Sequence, residues 1–161
     1  MDITAERTAR ASNLVGTIRS AVQFSITVAE RHVAPVLALI IRIWVAHAFF
    51  VSGLTKIQSW DSTVSLFENE YHVAFLPPEI AAYMGTATEL FFPVLLVVGL
   101  GTRFAAAVLF VFNIIAVISY PDLNEVGLKD HQYWGLLLLV PLFYGPGKLS
   151  IDHLIRRRFW N

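Results

Sequence analysis

The chain has 161 residues, of which 56% are hydrophobic and 15% charged, and its formal net charge is zero. This balance argues against a soluble globule, and the absence of a broad basic surface gives no reason to expect nucleic-acid binding. Cysteine is absent, which excludes disulfides, thiolate metal sites and a dithiol relay within the chain. The composition predicts an all-α, polytopic membrane protein of about one domain's length.

Residues 1–33 precede the first strongly apolar run and form a predicted cytoplasmic N-terminal segment. They lack the compact apolar region of a signal peptide, so we expect them to be retained. Leu14, Ile18, Val22 and Ile26 fall roughly on one helical face. This spacing is consistent with an amphipathic helix lying on the membrane, and a frayed tail is the alternative.

Four stretches are apolar enough to enter ~30 Å of hydrocarbon as helices, and the last two are short for such a span. They are residues 34–55, 79–99, 103–120 and 131–143. The second and third are joined by Gly99-Leu100-Gly101-Thr102, which is too short for anything but a tight turn. The predicted fold is therefore an antiparallel bundle of four transmembrane helices within residues 34–155, followed by a basic tail, residues 156–161.

The distribution of arginine and lysine predicts the orientation of this bundle. One side carries Arg7, Arg10, Arg19, Arg31, Arg103, Lys148, Arg156, Arg157 and Arg158, and the other side carries only Lys56 and Lys129. The positive-inside rule then places both termini and the turn at Arg103 in the cytoplasm.

The connection between the first two spans has a helical pattern of its own. Trp60, Val64, Phe67 and Tyr71 recur at helical spacing, and residues 76–78 end the pattern. We expect a short helix in the outer interface, with Tyr71 in the belt of aromatic residues that marks it.

Three charged residues lie in or beside the first two spans. Arg42 and Lys56 share one face of the first span, and Glu89 lies within the second. Counting ~1.5 Å per residue from the helix starts puts Arg42 and Glu89 at nearly the same depth. We therefore expect an Arg42–Glu89 hydrogen-bonded pair with Lys56 at its mouth. This polar centre either holds the helices in register or binds a proton, a quinone headgroup or another small ligand.

Other polar residues are secondary candidates for this site. They are Thr86 beside Glu89, Arg103 at the turn, and Asn113, which is more simply an interhelical hydrogen bond. The carboxylates and histidines of the outer loops lack the tight spacing of a metal site, so we assign no metal and no catalytic residue.

Several short motifs together resemble the DoxX family of small four-helix bacterial inner-membrane proteins, over about residues 40–155. They are Gly53-Leu54-Thr55-Lys56, Glu89-Leu90, Gly99-Leu100-Gly101-Thr102-Arg103 and Gly145-Pro146-Gly147-Lys148-Leu149-Ser150-Ile151-Asp152. The resemblance implies that Arg42, Lys56, Glu89 and Arg103 are the functional polar positions.

The family takes its name from the small subunit of a thiosulfate:quinone oxidoreductase, and other relatives are linked to thiol redox homeostasis or to redox-cofactor maturation beside partner proteins. The absence of cysteine argues against a thiol carrier here. Tyr71-His72-Val73, followed by the break at residues 76–78, is similar to a subgroup associated with metal-stress peptide systems.

The leading functional hypothesis is a membrane accessory subunit of a redox-linked or metal-stress-linked pathway, which binds a quinone-like ligand or a partner protein at the Arg42–Glu89 centre. We expect partner proteins or a homo-oligomer and no autonomous catalysis, with a membrane subunit of an oxidoreductase as the enzymatic alternative. A structural scaffold is the first rival. A small transporter is the second, for which Pro93 is the one candidate for a midspan helix break in the second span.

Overall fold

A computed structural model describes the backbone of residues 3–159 and the side chains of residues 16–159. These described residues contain no strand, which confirms the all-α prediction. They form α1 (Ile3–Val28), a π-helical turn (Ala29–Val33), α2 (Ala34–Gln58), α3 (Trp60–Asn69), α4 (Pro78–Val98), α5 (Thr102–Ser119), α6 (Glu125–Phe143) and α7 (Ile151–Phe159).

The chain divides into two compact units, Met1–Val36 and Leu37–Asn161. Within the first unit, the π-helical turn closes when the Ala34 N–H donates to the carbonyl of Ala29. Pro35 follows, and proline has no N–H to donate to the carbonyl four residues earlier. A local π-helical turn is one way in which a helix continues past such a gap.

The predicted apolar face of the N-terminal segment is only partly covered by the structure. Ile18, Val22 and Ile26 lie on α1 and are exposed. The side chains of Arg7, Arg10 and Leu14 lie outside the described residues, as do residues 160 and 161 of the predicted tail. The amphipathic surface helix therefore stays a prediction.

The second unit is built around one hydrophobic core to which α2, α4, α5 and α6 all contribute. Its buried members are Val45, Ala46, Phe49, Leu96, Ala105, Ala106, Leu109 and Leu138. Phe49 is its aromatic centre, with ring centroids 6.4 Å from Phe112 and 5.8 Å from Trp134. Alanine on α2 and α5 lets the backbones approach closely, as is common between membrane helices.

Three helical segments are long and apolar enough to cross a membrane among the described residues: Gly16–Gln58, Pro78–Val98 and Thr102–Ser119. These segments correspond to the first three predicted spans, and the second and third each end one residue earlier than predicted. The fourth predicted span lies within α6, whose first two turns carry Glu125, Lys129 and Asp130. These charges lower the mean hydropathy of α6, and α6 is not one of the three segments. A fourth span through α6 is therefore a proposal.

The turn between α4 and α5 consists of the three residues Gly99, Leu100 and Gly101. Both glycines have positive φ, 73° and 57°, a conformation that glycine adopts without the steric cost of a Cβ. α4 runs unbroken through Pro93, so the interrupted helix that motivated the transporter hypothesis is not found there.

The helix predicted between the first two spans is α3. Phe67 is buried against Ala81 and Ala82 of α4, and Trp60 and Tyr71 pack on the same cluster. α3 thus covers one side of the first turns of α4. Its placement in the membrane interface stays a prediction.

Candidate functional site

Glu89 forms an ion pair with Lys56, not with Arg42. The Lys56 Nζ lies 2.7 Å from Glu89 Oε2 and 2.9 Å from Oε1, and it also donates to the hydroxyl of Ser52 at 2.9 Å. The Ser52 hydroxyl donates in turn to Glu89 Oε1 at 3.1 Å. The lysine side chain therefore bends back by one turn of α2, which brings its charge from the end of the helix towards its middle.

This pair is nearly buried, because the two side chains are only 14% and 7% exposed. A buried charge is tolerated when it is paired and its remaining hydrogen-bonding groups are satisfied. Here three side chains from α2 and α4 satisfy one another. The sequence did not mark Ser52, although its position four residues before Lys56 is the usual spacing for a side-chain contact on a helix.

Gly53 permits the close approach of α2 and α4 at this point. A Cβ built on Gly53 would lie 2.9 Å from Cγ and Cδ2 of Leu90 and 3.0 Å from Cβ of Glu89. These contacts are too short for any real side chain. The glycine of the Gly53-Leu54-Thr55-Lys56 motif is therefore explained by helix packing beside the ion pair.

We expect Gly53→Ala to destabilise the protein by about 1–3 kcal/mol, since the added methyl group must push α2 away from Leu90. Thermal unfolding in detergent measures this loss. Gly16→Ala is the matched control, because no atom of the described part of the chain lies within 4 Å of a Cβ at that position and alanine favours the helix. Equal stability of the two variants would contradict the packing role assigned to Gly53.

A cavity of about 440 Å³ lies next to the ion pair, between α4 and α5. Its walls are almost wholly apolar, and Lys56 and Glu89 are the two charged side chains among the described residues that line it. The lining residues are Lys56, Phe67, Tyr71, Val73, Leu76, Ala81, Met84, Gly85, Thr88, Glu89, Ala107, Val108, Val111, Phe112, Ile115, Ala116 and Ser119.

One edge of the cavity reaches the outer surface of the helices. Met84 of α4 and Val111 and Ile115 of α5 line the cavity and are also exposed. In a membrane-spanning helix pair, such a side faces lipid tails. The cavity therefore has an apolar edge that a molecule dissolved in the bilayer can reach.

The other end of the cavity is covered by the segment that follows α3. Tyr71 stacks between Phe67 and Tyr120, with ring centroids 4.9 Å apart on each side. The N–H of His72 donates to the carbonyl of Ser119 at 2.7 Å, which fixes this segment to the end of α5. Tyr71, predicted as part of an aromatic belt, is thus a wall of the cavity.

Burial raises the pKa of Tyr71 above its ordinary value, and the negative charge of Glu89 raises it further. The phenol therefore stays protonated at neutral pH. It lines the same cavity as the ion pair, where a neutral O–H remains a hydrogen-bond donor or acceptor.

Arg42 lies elsewhere, so the predicted Arg42–Glu89 pair is wrong. The Arg42 side chain is 1% exposed, and its Nη1 donates to the carbonyls of Leu96 at 3.3 Å and Val97 at 3.5 Å. Its Nη2 donates to the carbonyl of Leu149. Leu96 follows Glu89 by two turns of α4, or about 10 Å. Arg42 therefore binds the last carbonyls of α4, where a cation opposes the negative end of the helix dipole.

Asp152 completes this second polar cluster. We call the cluster, which consists of Arg42, Asp152 and the turn between α4 and α5, the α4–α5 turn lock. Its carboxylate accepts hydrogen bonds from the N–H of Gly101 and of Thr102, both at 2.8 Å, and from the Thr102 hydroxyl at 2.9 Å. The N–H of Asp152 donates to the carbonyl of Gly99 at 2.8 Å. Asp152 thus caps the first turn of α5 from a distant part of the chain.

The turn lock explains two of the family motifs together. The motif at residues 99–103 forms the turn, and the motif at residues 145–152 supplies the carbonyl of Leu149 and the carboxylate of Asp152 that hold it. The capping role of Asp152 could not be predicted from its motif, because the helix that it caps begins 50 residues earlier in the chain.

Burial works against ionisation of Asp152, but the hydrogen bonds from Thr102 and Gly101 and the charge of Arg42 outweigh it and lower the pKa of Asp152 below its ordinary value. The carboxylate therefore stabilises the fold above the pKa of the unfolded chain, and this contribution is lost as pH falls through the lowered, folded-state pKa.

We expect Asp152→Ala to reduce the free energy of unfolding by about 1–2 kcal/mol at neutral pH, as is typical for loss of a helix cap. The difference from the unsubstituted protein should shrink in acid, below the folded-state pKa of Asp152, and unfolding measured at both pH values tests this. Asp122→Ala, at an exposed position, is the control. A pH-independent difference would contradict the role of the charge.

The secondary candidates do not join the ion pair. The Thr86 hydroxyl is buried and has no hydrogen-bond partner among the residues that the structure describes. Asn113 Nδ2 donates to the carbonyl of His131 at 2.9 Å, and its Oδ1 lies 2.7 Å from His131 Nδ1, so it joins α5 to α6. Arg103 is exposed and makes one long hydrogen bond, 3.4 Å, to the carbonyl of Phe143. No group of three metal-ligating side chains occurs among the described residues.

Comparison with known proteins identifies similar chains. The family model described as DoxX matches residues 37–121. A Haemophilus influenzae protein named "Uncharacterized protein" is 32% identical over 128 residues, which cover 74% of this chain and 83% of that protein. "Inner membrane protein YphA" of Escherichia coli K12 is 34% identical over 130 residues, which cover 73% of this chain and 89% of that protein. No solved structure matches.

Proposed function

This chain belongs to the DoxX family of membrane proteins, and we propose that it binds a small lipophilic ligand of the quinone class in the cavity beside the Lys56–Glu89 pair. One observation carries the proposal: an apolar cavity of about 440 Å³ whose charged lining residues are the two members of one nearly buried ion pair. Ligand sites typically combine such apolar walls with a few placed polar groups.

The apolar walls favour a ligand that partitions into the bilayer. The exposed edge formed by Met84, Val111 and Ile115 allows entry from the lipid, without passage through water. A ring with an apolar substituent would lie along α4 and α5, where alanines at positions 81, 107 and 116 leave room for it.

The ion pair favours a ligand whose polar end accepts hydrogen bonds. Lys56 Nζ has three donors, and in the structure they serve Ser52 and the two carboxylate oxygens of Glu89. A carbonyl oxygen of the ligand would replace the Ser52 hydroxyl as an acceptor of Lys56 Nζ. Glu89 would continue to neutralise the lysine. The Tyr71 side chain also lines the cavity, and its phenol is a second group that can bond a polar substituent.

In this proposal the chain holds the ligand for a partner protein of a redox-linked or metal-stress-linked pathway in the inner membrane, and it does not catalyse a reaction by itself. The printed name of the Escherichia coli relative supports the inner membrane. The ion pair replaces the Arg42–Glu89 centre that the sequence predicted as the binding group.

Binding of a short-chain ubiquinone analogue to the purified protein in lipid nanodiscs tests the proposal. We expect Lys56→Met to weaken binding about tenfold or more, the usual effect of losing one hydrogen bond to a charged group. Lys148→Met and Glu79→Gln are matched controls outside the cavity and should bind as the unsubstituted protein does. A photoreactive quinone should label α4 and α5 between residues 84 and 116. Labelling confined to other helices, or unchanged affinity of Lys56→Met, would contradict the proposal.

The same proposal includes four membrane spans, with α6 as the fourth, α3 in the outer interface and both termini in the cytoplasm. The arginine distribution supports it. Because the chain has no cysteine, single cysteines can report accessibility directly. We expect a membrane-impermeant maleimide to label Phe75→Cys, in the exposed loop before α4, in intact spheroplasts, and to label Leu100→Cys only after lysis. The reverse pattern would overturn this orientation.

A further inference from the structure

α7 carries an apolar face that nothing in the described part of the chain covers. This face consists of Ile151, Leu154, Ile155 and Phe159, and all four side chains are exposed, Leu154 by 62% and Phe159 by 76%. At 100° per residue they occupy about 140° of the helix circumference. Exposed apolar side chains grouped in this way mark an interaction surface.

The opposite face of α7 is basic. His153, Arg156 and Arg157 lie there, whereas Arg158 falls within the arc of the apolar face, from which its long side chain can extend its charge to the side. All three arginines are exposed and make no ion pair with any other residue that the structure describes. A short helix with a strongly basic face and an apolar face is typical of helices that lie in a membrane interface.

The turn lock fixes where this helix begins. Asp152, the second residue of α7, is bound through its backbone to Gly99 and through its carboxylate to Gly101 and Thr102. These residues form the connection between two helices that are apolar enough to span a membrane. α7 therefore starts at the level where such helices leave the hydrocarbon and meet the lipid headgroups.

We propose that α7 lies in the headgroup region of the membrane and binds anionic phospholipids. Its apolar face enters the boundary of the acyl chains, and its arginines bind the phosphate groups. Charge complementarity selects this occupant: a bacterial-type surface rich in phosphatidylglycerol is negative, and each basic residue near it strengthens binding by up to about fivefold. A second protein copy would place like charges of two such helices together.

This inference is independent of the ligand in the cavity, since no residue of α7 lines that cavity. Lys148, in the segment before α7, adds a further cation near the same end of the helices. The tether at Asp152 also means that the helix need not be recruited from solution, so a few arginines are enough to establish lipid preference.

The position of α7 can be measured by spin labelling, for which a chain without cysteine is well suited. Nitroxides are placed at Leu154→Cys on the apolar face and at Arg157→Cys on the basic face, and the full chain is reconstituted in vesicles containing 30% phosphatidylglycerol. We expect the label at position 154 to be accessible to oxygen and shielded from a water-soluble nickel chelate. The label at position 157 should be accessible to the chelate.

Two results would overturn the proposal. Equal accessibility of both labels to the nickel chelate would mean that α7 extends into water. A label at position 154 that is shielded from both oxygen and the chelate would mean that protein, such as a second copy, covers the apolar face.

The preference for anionic lipid is measured separately, from the ratio of spin-labelled phosphatidylglycerol to phosphatidylcholine that associates with the protein. We expect Arg157→Gln to lower this ratio by about two- to fivefold. Lys129→Gln removes one exposed cation from the first turns of α6 and is the matched control. An equal change in both variants would show a general effect of net charge and would contradict a lipid site on α7.

Discussion

We expect the free energy of unfolding of the double variant Lys56→Met/Glu89→Leu to lie within about 1 kcal/mol of that of the unsubstituted protein. Each single change, by contrast, should lower it by about 3 kcal/mol. Breaking the pair leaves one charge in the interior without its partner, and that charge has to be neutralised or hydrated. Replacing both partners by apolar side chains of similar size removes this cost. The loss of stability expected for each single change is at the low end of the usual range for a broken buried ion pair, because the Lys56 side chain is 14% exposed.

The double variant also separates ligand binding from helix packing. If the pair binds the polar end of a ligand, the double variant should be folded and should bind the quinone analogue about tenfold more weakly. If the pair only holds α2 and α4 in register, a stable double variant should bind as the unsubstituted protein does. Unfolding in detergent and binding in nanodiscs are therefore measured on the same preparations.

A further variant tests the geometry of the pair. Ser52→Ala removes the hydroxyl that accepts from Lys56 and donates to Glu89, but it leaves both charges in place. We expect a cost of about 1 kcal/mol, the usual net value of one hydrogen bond. A cost as large as that of Lys56→Met would mean that the register of the helices, not the charge, dominates the energetics.

The sequence identified the residues of the ion pair but paired the wrong partners. Apolar runs and two charges on one face of α2 were enough to select Arg42, Lys56 and Glu89. Depth was then counted from a helix start at residue 34, whereas the backbone is already helical before that residue, in the π-helical turn Ala29–Val33. The count also ignored the length of the lysine side chain, which reaches back one full turn to Ser52.

The partners of Arg42 could not be predicted from a pattern of side chains, because they are backbone carbonyls. Every residue carries a carbonyl, so nothing in the sequence marks those of Leu96 and Leu149 as acceptors. What selects them is the end of α4 and the path of the chain after α6. The cavity could not be predicted from the sequence for a similar reason. Besides Lys56, its walls come from α3, α4, α5 and the segment after α3, and no sequence pattern shows that these residues lie together.

We expect Arg42→Met to destabilise the protein by about 3 kcal/mol or more. The substitution removes the donors to the buried carbonyl of Leu96 and to the part-buried carbonyls of Val97 and Leu149, and an unsatisfied buried group costs about 1–3 kcal/mol. It also removes the cation that faces the end of the α4 dipole and the nearby charge of Asp152.

Arg42→Lys should be intermediate, since an ammonium group keeps the charge but cannot reproduce the planar arrangement of donors on a guanidinium. Arg103→Met is the matched control: this arginine is exposed and makes one hydrogen bond of 3.4 Å, so we expect a cost below about 1 kcal/mol. Unfolding of all three variants in the same detergent gives the comparison.

Arg42 and the ion pair should also differ in what they do for the ligand. Arg42 lies two turns of α4 from Glu89 and does not line the cavity, so the folded fraction of Arg42→Lys should bind the quinone analogue with unchanged affinity. Loss of binding without loss of stability in that variant would contradict the capping role. Such a result would mean that Arg42 belongs to the ligand-binding site, as the sequence predicted.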